Sequence, residues 1–375
     1  MDKEAFELKR FWHWGPLLTA ALNVSVNCTT LLWWPTDLSL KTHAYFGLFL
    51  LLNLLTAYNF IMSVLVGPGV LPKQWQPEHG NDTKFLQFCQ KCDGYKAPRS
   101  HHCLRCDRCV KKMDHHCPWI NNCVGWANHA YFTYFLFFYM LSNLQSAVVL
   151  AQSGSAYFIR NCLVRRRCHN LINLAICLMS FGMAVGVVLC MLKLLHIQLR
   201  CILSNKTTIE QWIVEKAANR RGCRKRKLEP FVFPYNLGWY FNLGQVFNVE
   251  AQSRGSGIEW PVRDGCDQYT LSREQLAQKQ EKRERSRIYR CIRRATGHWL
   301  PIFSQGIKVT ACVPCADDAR IRVELNDLIR VTRTRDHWLF GELVRSERGE
   351  PHELRQGCIR GWFPRRCAVD VTETI

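Results

Sequence analysis

Four long apolar stretches dominate the pattern of hydrophobic and polar positions along this chain of 375 residues. They lie at roughly 15–34, 45–66, 131–151 and 171–192, and none contains a charged side chain. A helix of about 20 apolar residues crosses the hydrocarbon core of a bilayer, so each stretch predicts a transmembrane helix. The chain is therefore predicted to be a polytopic α-helical membrane protein. Its first span is expected to be a retained anchor, because no small-residue cleavage site follows it.

The hydrophobic period changes beyond about residue 300. There the chain alternates apolar and polar positions in short runs separated by turns, for example LIRVTR and HWLFGELV. Such alternation is typical of β-strands with one buried face. Residues 300–375 therefore predict a separate small all-β domain.

Shifts in composition and turn signals divide the chain into five predicted segments. Between the spans and the β domain lie a basic linker, an aromatic stretch at 231–248 and a charged helical stretch at 271–295. The predicted segments are 1–66 (N-terminus and transmembrane helices 1 and 2), 67–129 (a cysteine-rich domain), 130–197 (transmembrane helices 3 and 4), 198–299 (a tail) and 300–375 (the β domain).

The distribution of basic residues predicts the orientation in the membrane. The net charge of +20 suggests nucleic acid or a membrane surface as a partner. Segments 1–14 and 67–130 share one side and carry three and nine Lys or Arg residues, whereas the loops at 35–44 and 153–170 carry one and four. Basic residues favour the cytosolic side, so both termini and the cysteine-rich segment are expected in the cytosol, where thiols stay reduced. Nucleic-acid binding is disfavoured, because the spans tether the basic loops to a bilayer.

A dense cluster of cysteine and histidine residues lies between Cys89 and Cys123. These 35 residues hold 7 of the 20 cysteines and 4 of the 13 histidines. C-x2-C pairs with histidines at fixed offsets supply the soft ligands that tetrahedral Zn²⁺ prefers. Two closed tetrahedral sites would use eight of the eleven donors, so three are left for another role.

The stretch MDHHCPW suggests a chemical role for this surplus. Asp114, His115 and Cys117 bring a carboxylate, an imidazole and a thiol into one tight turn, which is the inventory of an activated cysteine nucleophile. His115 would take the thiol proton, and Asp114 would hold the imidazole in the right tautomer. Spacing alone does not say which donors bind metal. A purely structural double zinc finger with a spare cysteine is therefore a second interpretation.

The complete pattern from Cys89 to Cys123, C-x2-C-x9-HC-x2-C-x2-C-x4-DHHC-x5-C, resembles that of the DHHC-type protein S-acyltransferases, or palmitoyltransferases. These are integral membrane enzymes with a cytosolic cysteine-rich domain. The resemblance implies two structural zinc ions, acyl-CoA (palmitoyl-CoA) as substrate, and transfer of the acyl group through an acyl-cysteine to cysteines of substrate proteins. The implied ligands are Cys89, Cys92, His102 and Cys109 for one zinc and Cys103, Cys106, His116 and Cys123 for the other.

The same resemblance implies the catalytic roles. Cys117 would be the nucleophile, His115 the general base and Asp114 the residue that orients His115. Trp119 would lie near the acyl cavity. His101 is left without a catalytic role, and we expect it to pack or hydrogen-bond locally.

Two further family motifs lie in the tail, and one departure precedes the cluster. Thr207-Thr208-Ile209-Glu210 matches the TTxE motif, whose second threonine would contact Asp114. The stretch from Tyr235 to Phe247, with Asn242, resembles the aromatic-rich packing motif of the family. Gly67-Pro68-Gly69 stands where the family usually has Asp-Pro-Gly, so the contribution of that aspartate is either missing or supplied elsewhere.

The C-terminal β domain resembles an SH3-like barrel, with Trp338, Gly361, Phe363 and Pro364 at the expected places. An endoplasmic-reticulum member of the family has this arrangement, which implies residence in the reticulum membrane. The domain would be either a docking site for a protein partner or a rigid cap without a ligand. The alternative to an enzyme is a catalytically inactive membrane zinc scaffold that recruits partners through this domain.

Overall fold

The computed structural model of the protein describes residues 8–36, 39–164, 171–222, 229–248, 255–298, 306–314, 318–345 and 359–372. The chain forms two compact units, Met1–Arg273 and Glu274–Ile375. The first holds the long apolar helices and the cysteine-rich segment, and the second holds a β-sheet.

Four helices of the described chain are long and apolar enough to cross a membrane, which confirms the predicted number of apolar spans. They are α1 (Trp14–Leu32), α2 (Leu40–Leu65), α3 (His129–Tyr157) and α4 (Leu171–Leu203). α3 packs against both α2 and α4, and α1 packs against α4. α4 continues beyond its predicted end at residue 192, because neither Gly nor Pro interrupts the chain before Leu203.

Three short antiparallel hairpins lie between α2 and α3. Their strands are β1 (Phe88–Cys89), β2 (Gly94–Tyr95), β3 (His101–Cys103), β4 (Arg108–Val110), β5 (His115–Cys117) and β6 (Asn122–Val124). Asp93, Asp107 and Asn121 lie in the three turns and have positive φ values of 51°, 49° and 45°. Asp and Asn adopt this left-handed conformation more readily than other non-glycine residues, which permits the tight reversals.

The tail of the first unit is tied to the end of α4. α5 (Thr208–Arg221) begins with a capping box between Thr207 and Glu210, so its first turn is well defined. α6 (Trp239–Gly244) contains Asn242, which is fully buried and donates its amide to the carbonyl oxygen of Leu203 at 2.8 Å. α7 (Thr270–Glu284) follows.

In the described part of the second unit, five antiparallel strands form a sheet in the order β10-β9-β8-β7-β11. They are β7 (Arg287–Cys291), β8 (Leu328–Arg335), β9 (Trp338–Arg345), β10 (Arg360–Pro364) and β11 (Ala368–Asp370). A short helix, α8 (Ile307–Ala311), precedes β8. The sheet begins with β7, inside the stretch 271–295 where sequence predicts a charged helix. Tyr289 and Cys291 point into the core between exposed basic residues, and those charges hide the strand period.

α1 lies directly against the turn that follows Cys117. A Cβ atom placed on Gly15 would be 1.8 Å from the carbonyl oxygen of Pro118 and 3.1 Å from the Cα atom of Trp119. Both contacts are to backbone, which cannot rotate away. Only glycine therefore allows the helix to approach this closely.

We predict that Gly15→Ala displaces α1 from the turn after Cys117. The variant should show a lower Tm in detergent. Gly47→Ala is the matched control, because Gly47 lies within α2 and nothing would lie within 4 Å of its added Cβ atom. If both variants have the Tm of the wild type, the close approach of α1 to the turn does not contribute to stability.

Candidate active site and metal centres

One set of four metal-ligand side chains joins the first two hairpins. It consists of Cys89, Cys92, His102 and Cys109, whose ligand atoms all lie within 4.8 Å of one another. The register of β3 and β4 places His102 directly opposite Cys109, and the other two thiols come from Cys89 at the end of β1 and Cys92 in the turn that follows. The Nδ1 atom of His102 lies 3.5, 3.4 and 3.9 Å from the sulfur atoms of Cys89, Cys92 and Cys109.

A second set repeats this arrangement one hairpin further along. Its members are Cys103, Cys106, His116 and Cys123. The register of β5 and β6 places His116 opposite Cys123. The Nδ1 atom of His116 lies 3.7, 3.5 and 3.7 Å from the sulfur atoms of Cys103, Cys106 and Cys123.

Both sets fit a tetrahedral zinc ion. Zinc bonds of about 2.3 Å to sulfur and about 2.0 Å to nitrogen place the two ligand atoms about 3.5 Å apart, close to the distances in both sets. Three thiols and one imidazole are also the soft donors that favour zinc over magnesium or calcium. Since each set would fill all four positions, both centres have the character of structural zinc sites.

The donors outside the two metal sets are His101, His115 and Cys117. His101 lies in β3 opposite Val110 and belongs to neither donor set. His115 and Cys117 are two residues apart in β5, so their side chains share one face of the strand. His116 lies between them and points to the opposite face, towards the second metal set.

The side chain of His115 is held between an acid and a thiol. Its Nδ1 atom lies 2.8 Å from Oδ2 of Asp114, and it also hydrogen-bonds the Cys117 side chain. Burial lowers the pKa of His115, but these two hydrogen bonds outweigh that effect and raise the pKa to about 10. The imidazole therefore has a high affinity for a proton released by the thiol.

Asp114 is buried and accepts hydrogen bonds from three directions. Its Oδ2 atom accepts from His115 and from Nε2 of Gln198, the latter at 3.2 Å. Its Oδ1 atom accepts from the backbone N–H of Thr208 at 2.6 Å, and the Thr208 hydroxyl donates to the Asp114 carbonyl at 2.8 Å. Burial raises the pKa of Asp114, but the hydrogen bond and charge of His115, together with the hydrogen bond from the Thr208 backbone, outweigh it and hold the pKa well below its usual range. Asp114 is therefore a fixed, ionised carboxylate.

A buried ion pair connects the hairpins with the first turn of α5. Nε and Nη2 of Arg99 donate to the two carboxylate oxygens of Glu210 at 2.6 and 2.7 Å, and both side chains are 0% exposed. The guanidinium also donates to the side-chain and backbone oxygens of Asn205 at 3.2 and 2.8 Å. Its central carbon also lies 4.4 and 4.7 Å from the ring centroids of Tyr235 and Trp260, within the range of cation–π contacts. The buried guanidinium thus has both hydrogen-bond and aromatic partners.

A second buried cation, Lys112, lies in the same region. Its ammonium is 5.3 Å from the ring centroid of Trp260, and burial lowers the pKa of Lys112 to about 7. The buried positive side chains, Arg99 and Lys112, are matched by the buried carboxylates of Asp114 and Glu210. This balance reduces the cost of holding charge away from water.

Asn122 connects the hairpin that carries Cys117 to the end of α2. It lies opposite Cys117 in the β5–β6 pair and is fully buried. Its amide nitrogen lies 3.2, 3.2 and 2.9 Å from the carbonyl oxygens of Ser63, Val64 and Val66. Carbonyls in the last turn of a helix lack helical partners, so this side chain caps α2.

The loop that lacks the expected aspartate is held by backbone contacts. The N–H of Ala127 donates to the carbonyl of Pro68 at 3.1 Å, and the N–H of Lys111 donates to that of Gly69 at 2.8 Å. Gly69 has a φ of 80°, which suits glycine. The loop is thus secured without a carboxylate at residue 67.

The thiol of Cys117 faces an apolar region between the spans. Cys117 is 6% exposed and belongs to a buried cluster with Val64, Ile120, Val124, Phe132, Phe135, Leu136, Tyr139 and Leu195. Trp119 does not belong to this cluster. It is 42% exposed and packs edge-to-face on Trp14 of α1, with ring centroids 5.4 Å apart.

Sequence reasoning missed three residues of this site: Arg99, Asn122 and Gln198. Each acts on a partner that is distant in sequence, by 111 positions for Arg99 and Glu210 and 84 for Gln198 and Asp114. Gln198 carries a weak signal, since it is an amide side chain within the continuation of an apolar helix. Arg99 is indistinguishable by composition from the other basic residues around it.

Comparison with known proteins identifies the class. The family model for DHHC palmitoyltransferases matches residues 82–215. A Danio rerio protein named palmitoyltransferase ZDHHC6 is 41% identical, over 96% of this chain and 92% of that protein, and the Homo sapiens protein of the same name is 40% identical over the same shares. Palmitoyltransferase PFA4 of Mycosarcoma maydis is 34% identical over 56% of this chain and 50% of that protein. The chain belongs to the DHHC palmitoyltransferase family.

We predict two zinc ions per chain in the purified protein, by mass-spectrometric metal analysis. Cys92→Ser and Cys106→Ser each remove one thiol from a different set, so each should lower the zinc content by at least one ion. Cys190→Ser is the control, because Cys190 is an exposed cysteine of α4 outside both sets. Full zinc content in Cys92→Ser or Cys106→Ser would contradict the corresponding donor set.

We predict that Glu210→Gln destabilises the first unit by about 3 kcal/mol, because it leaves the buried Arg99 guanidinium without a counter-charge. The measurement is unfolding in detergent. Asp267→Asn serves as the control, since the Asp267–Arg273 pair is about half exposed and should contribute less than about 1 kcal/mol. Equal effects of the two substitutions would show that the buried pair has no special role.

Proposed function

We propose that this protein S-palmitoyltransferase uses Cys117 as its nucleophile, with long-chain acyl-CoA as donor and cysteines of substrate proteins as acceptors. One observation carries the proposal. Cys117 is the cysteine of the cluster that belongs to neither metal set, and it hydrogen-bonds His115, which Asp114 holds in turn. A thiol, a base and an orienting carboxylate are the parts of an activated nucleophile. With all three present, the alternative of an inactive scaffold has no support.

In the first half-reaction, Nε2 of His115 takes the proton from the Cys117 thiol, because Nδ1 is engaged with Asp114. The Cys117 thiolate attacks the carbonyl carbon of the acyl-CoA thioester. The bond between that carbon and the CoA sulfur breaks, and the CoA thiolate leaves with the proton from His115. The acyl group is then a thioester of Cys117.

In the second half-reaction, His115 takes a proton from a cysteine thiol of the substrate protein. The new thiolate attacks the acyl carbon, the bond to Cys117 breaks, and the Cys117 sulfur regains the proton. Each step exchanges one thioester for another. The main tasks of the protein are therefore to position the groups and to transfer the proton.

The acyl chain is proposed to lie along the apolar cluster between α2, α3 and α4, of which Cys117 is a member. A palmitoyl chain is insoluble in water, and this cluster offers it apolar side chains that begin at the nucleophile. Trp119 would contact the chain or the donor at the mouth of this region.

The two zinc ions, when bound, would supply rigid cross-links between successive hairpins. The proposed ligands are the two sets described above, with His116 in the second. Thr207, Thr208, Glu210 and Asn242 are proposed to support the site by fixing the tail against Asp114, Arg99 and the end of α4. His115 and Cys117 then project from a strand that the metal and the tail hold in place.

We propose that the protein crosses the endoplasmic-reticulum membrane four times, with both termini and the cysteine-rich segment 67–129 on the cytosolic side. The asymmetry of basic residues supports the orientation. The relatives named palmitoyltransferase ZDHHC6 and the resemblance to the reticulum member support the location.

The second unit is proposed to be an SH3-like domain that acts as a structural cap. Its five-stranded antiparallel sheet, with Trp338 on β9 and Pro364 on β10, supports this assignment. Trp338 is 1% exposed, and its indole N–H donates to the carbonyl of Val309 at 3.0 Å. A tryptophan that binds proline-rich peptides needs an open face, so its burial favours the cap over binding of such peptides.

We predict that Cys117→Ser abolishes both hydroxylamine-sensitive self-acylation and transfer of palmitate to a substrate protein, because a serine hydroxyl is a much weaker nucleophile at neutral pH. The assay uses labelled palmitoyl-CoA and the purified full chain. Cys190→Ser is again the control and should retain both activities. Transfer that persists in Cys117→Ser would refute the assignment of the nucleophile.

A further inference from the structure

Gln198 forms a buried hydrogen-bonded bridge between two polar side chains, one of which is Asp114. It lies in the last two turns of α4, and its Nε2 atom is 3.2 Å from Oδ2 of Asp114. Its Oε1 atom is 2.8 Å from Nε2 of His129, the first residue of α3. Asp114, His129 and Gln198 are 1%, 4% and 4% exposed.

The direction of each hydrogen bond in this bridge follows from the chemistry of the three groups. An ionised carboxylate accepts hydrogen bonds only, so the amide must present its NH₂ group to Asp114. The amide oxygen then faces His129, and that oxygen can only accept. His129 must therefore carry its proton on Nε2 and donate it to Gln198. In this way His129 fixes which end of the amide faces the carboxylate.

The oxygen that Gln198 contacts is the one that matters for catalysis. Oδ2 of Asp114 also accepts the hydrogen bond from Nδ1 of His115. Oδ1, by contrast, is held by Thr208. Both carboxylate oxygens thus accept hydrogen bonds, and Gln198 donates to the oxygen that also orients the imidazole of His115. If this contact is lost, the Asp114 carboxylate can rotate about its χ2 axis and carry His115 with it.

We propose that Gln198 is a positioning residue for the acyl-transfer reaction, and that His129 holds Gln198 in the required orientation. This inference rests on the proposed function of Cys117. Gln198 acts through Asp114 and His115, since its side chain hydrogen-bonds Asp114 and His129 rather than Cys117. It should therefore affect the rate of acyl-enzyme formation more than the binding of acyl-CoA.

The test measures single-turnover acylation of the full-length protein across a range of palmitoyl-CoA concentrations. Gln198→Met keeps the length and volume of the side chain but removes the donor to Asp114. We expect the maximal rate to fall about tenfold, with an unchanged half-saturating concentration of palmitoyl-CoA. Gln145→Met is the matched control. Gln145 is 5% exposed on α3 and donates to the carbonyl of Tyr45 at 2.8 Å, away from Asp114, so its rate should stay within about twofold of the wild type.

A double-mutant cycle separates positioning from general packing. In the Asp114→Asn background, Gln198→Met should cause almost no further loss, because its partner has already been changed. The proposal is overturned if Gln198→Met retains the wild-type rate, if Gln145→Met loses as much, or if the losses multiply in the double variant.

Two further measurements distinguish a failure of this proposal from a failure of the proposed function or a loss of folding. Cys117→Ser in the same assay tests the proposed function, so acylation that persists there refutes the nucleophile, independently of Gln198. If Gln198→Met does not give folded protein, as judged by zinc content and elution from a sizing column, His129→Leu takes its place. That variant frees the amide to turn and should slow acylation by a smaller factor, whereas an unchanged rate would overturn the proposal.

Discussion

The buried ion pair between Arg99 and Glu210 determines where the turn that carries Asp114 can lie. Glu210 is in the first turn of α5, and Thr208, two positions earlier, holds Asp114. The first turn of α5 therefore binds the cysteine-rich segment at two points, through Glu210 to Arg99 and through Thr208 to Asp114. A buried charge with no partner would be strongly destabilising, so α5 cannot move away while Arg99 stays inside. The two rings and Asn205 satisfy the guanidinium further, which makes this joint between the hairpins and the tail rigid.

Successive side chains of a strand point to opposite faces, so the residues of the HHC sequence in β5 divide between two roles. His116 points to the second metal set, whereas His115 and Cys117 point to the opposite face. The metal-set residue His116 and the proposed catalytic pair therefore cannot be shifted independently. A slip of β5 by one residue would put the side chains of His115 and Cys117 on the face of the second metal set and His116 among apolar residues. The cross-strand partners reinforce this register, since Cys123 faces His116 and Asn122 faces Cys117 while capping α2.

The sequence predicts the features that are encoded locally. Apolar runs predict the four spans, and C-x2-C spacing with nearby histidines predicts two zinc sites and three surplus donors. The assignment of particular residues to each metal set comes from the resemblance to the family. Contacts between distant segments are not readable in this way. Arg99 meets its partner 111 positions away, and nothing nearby distinguishes it from the basic residues of the same loop. The strand β7 is hidden for another reason, because exposed arginines surround its buried Tyr289 and Cys291 and imitate a polar helix. In both cases the structure depends on contacts between distant segments, which the local sequence pattern does not reveal.

The unequal exposure of Asp114, Cys117 and His115 fits the proposed reaction, which has two different substrates. Asp114 is 1% exposed and Cys117 6%, whereas the side chain of His115 is 35% exposed. An acyl chain can lie among the apolar residues beside Cys117 without reaching Asp114, which stays ionised in its polar shell. In the proposed second half-reaction, the thiol of a substrate protein would approach at the exposed imidazole. His115 is the most exposed of the three side chains and contacts both Asp114 and Cys117, so in the proposed mechanism one imidazole serves both half-reactions.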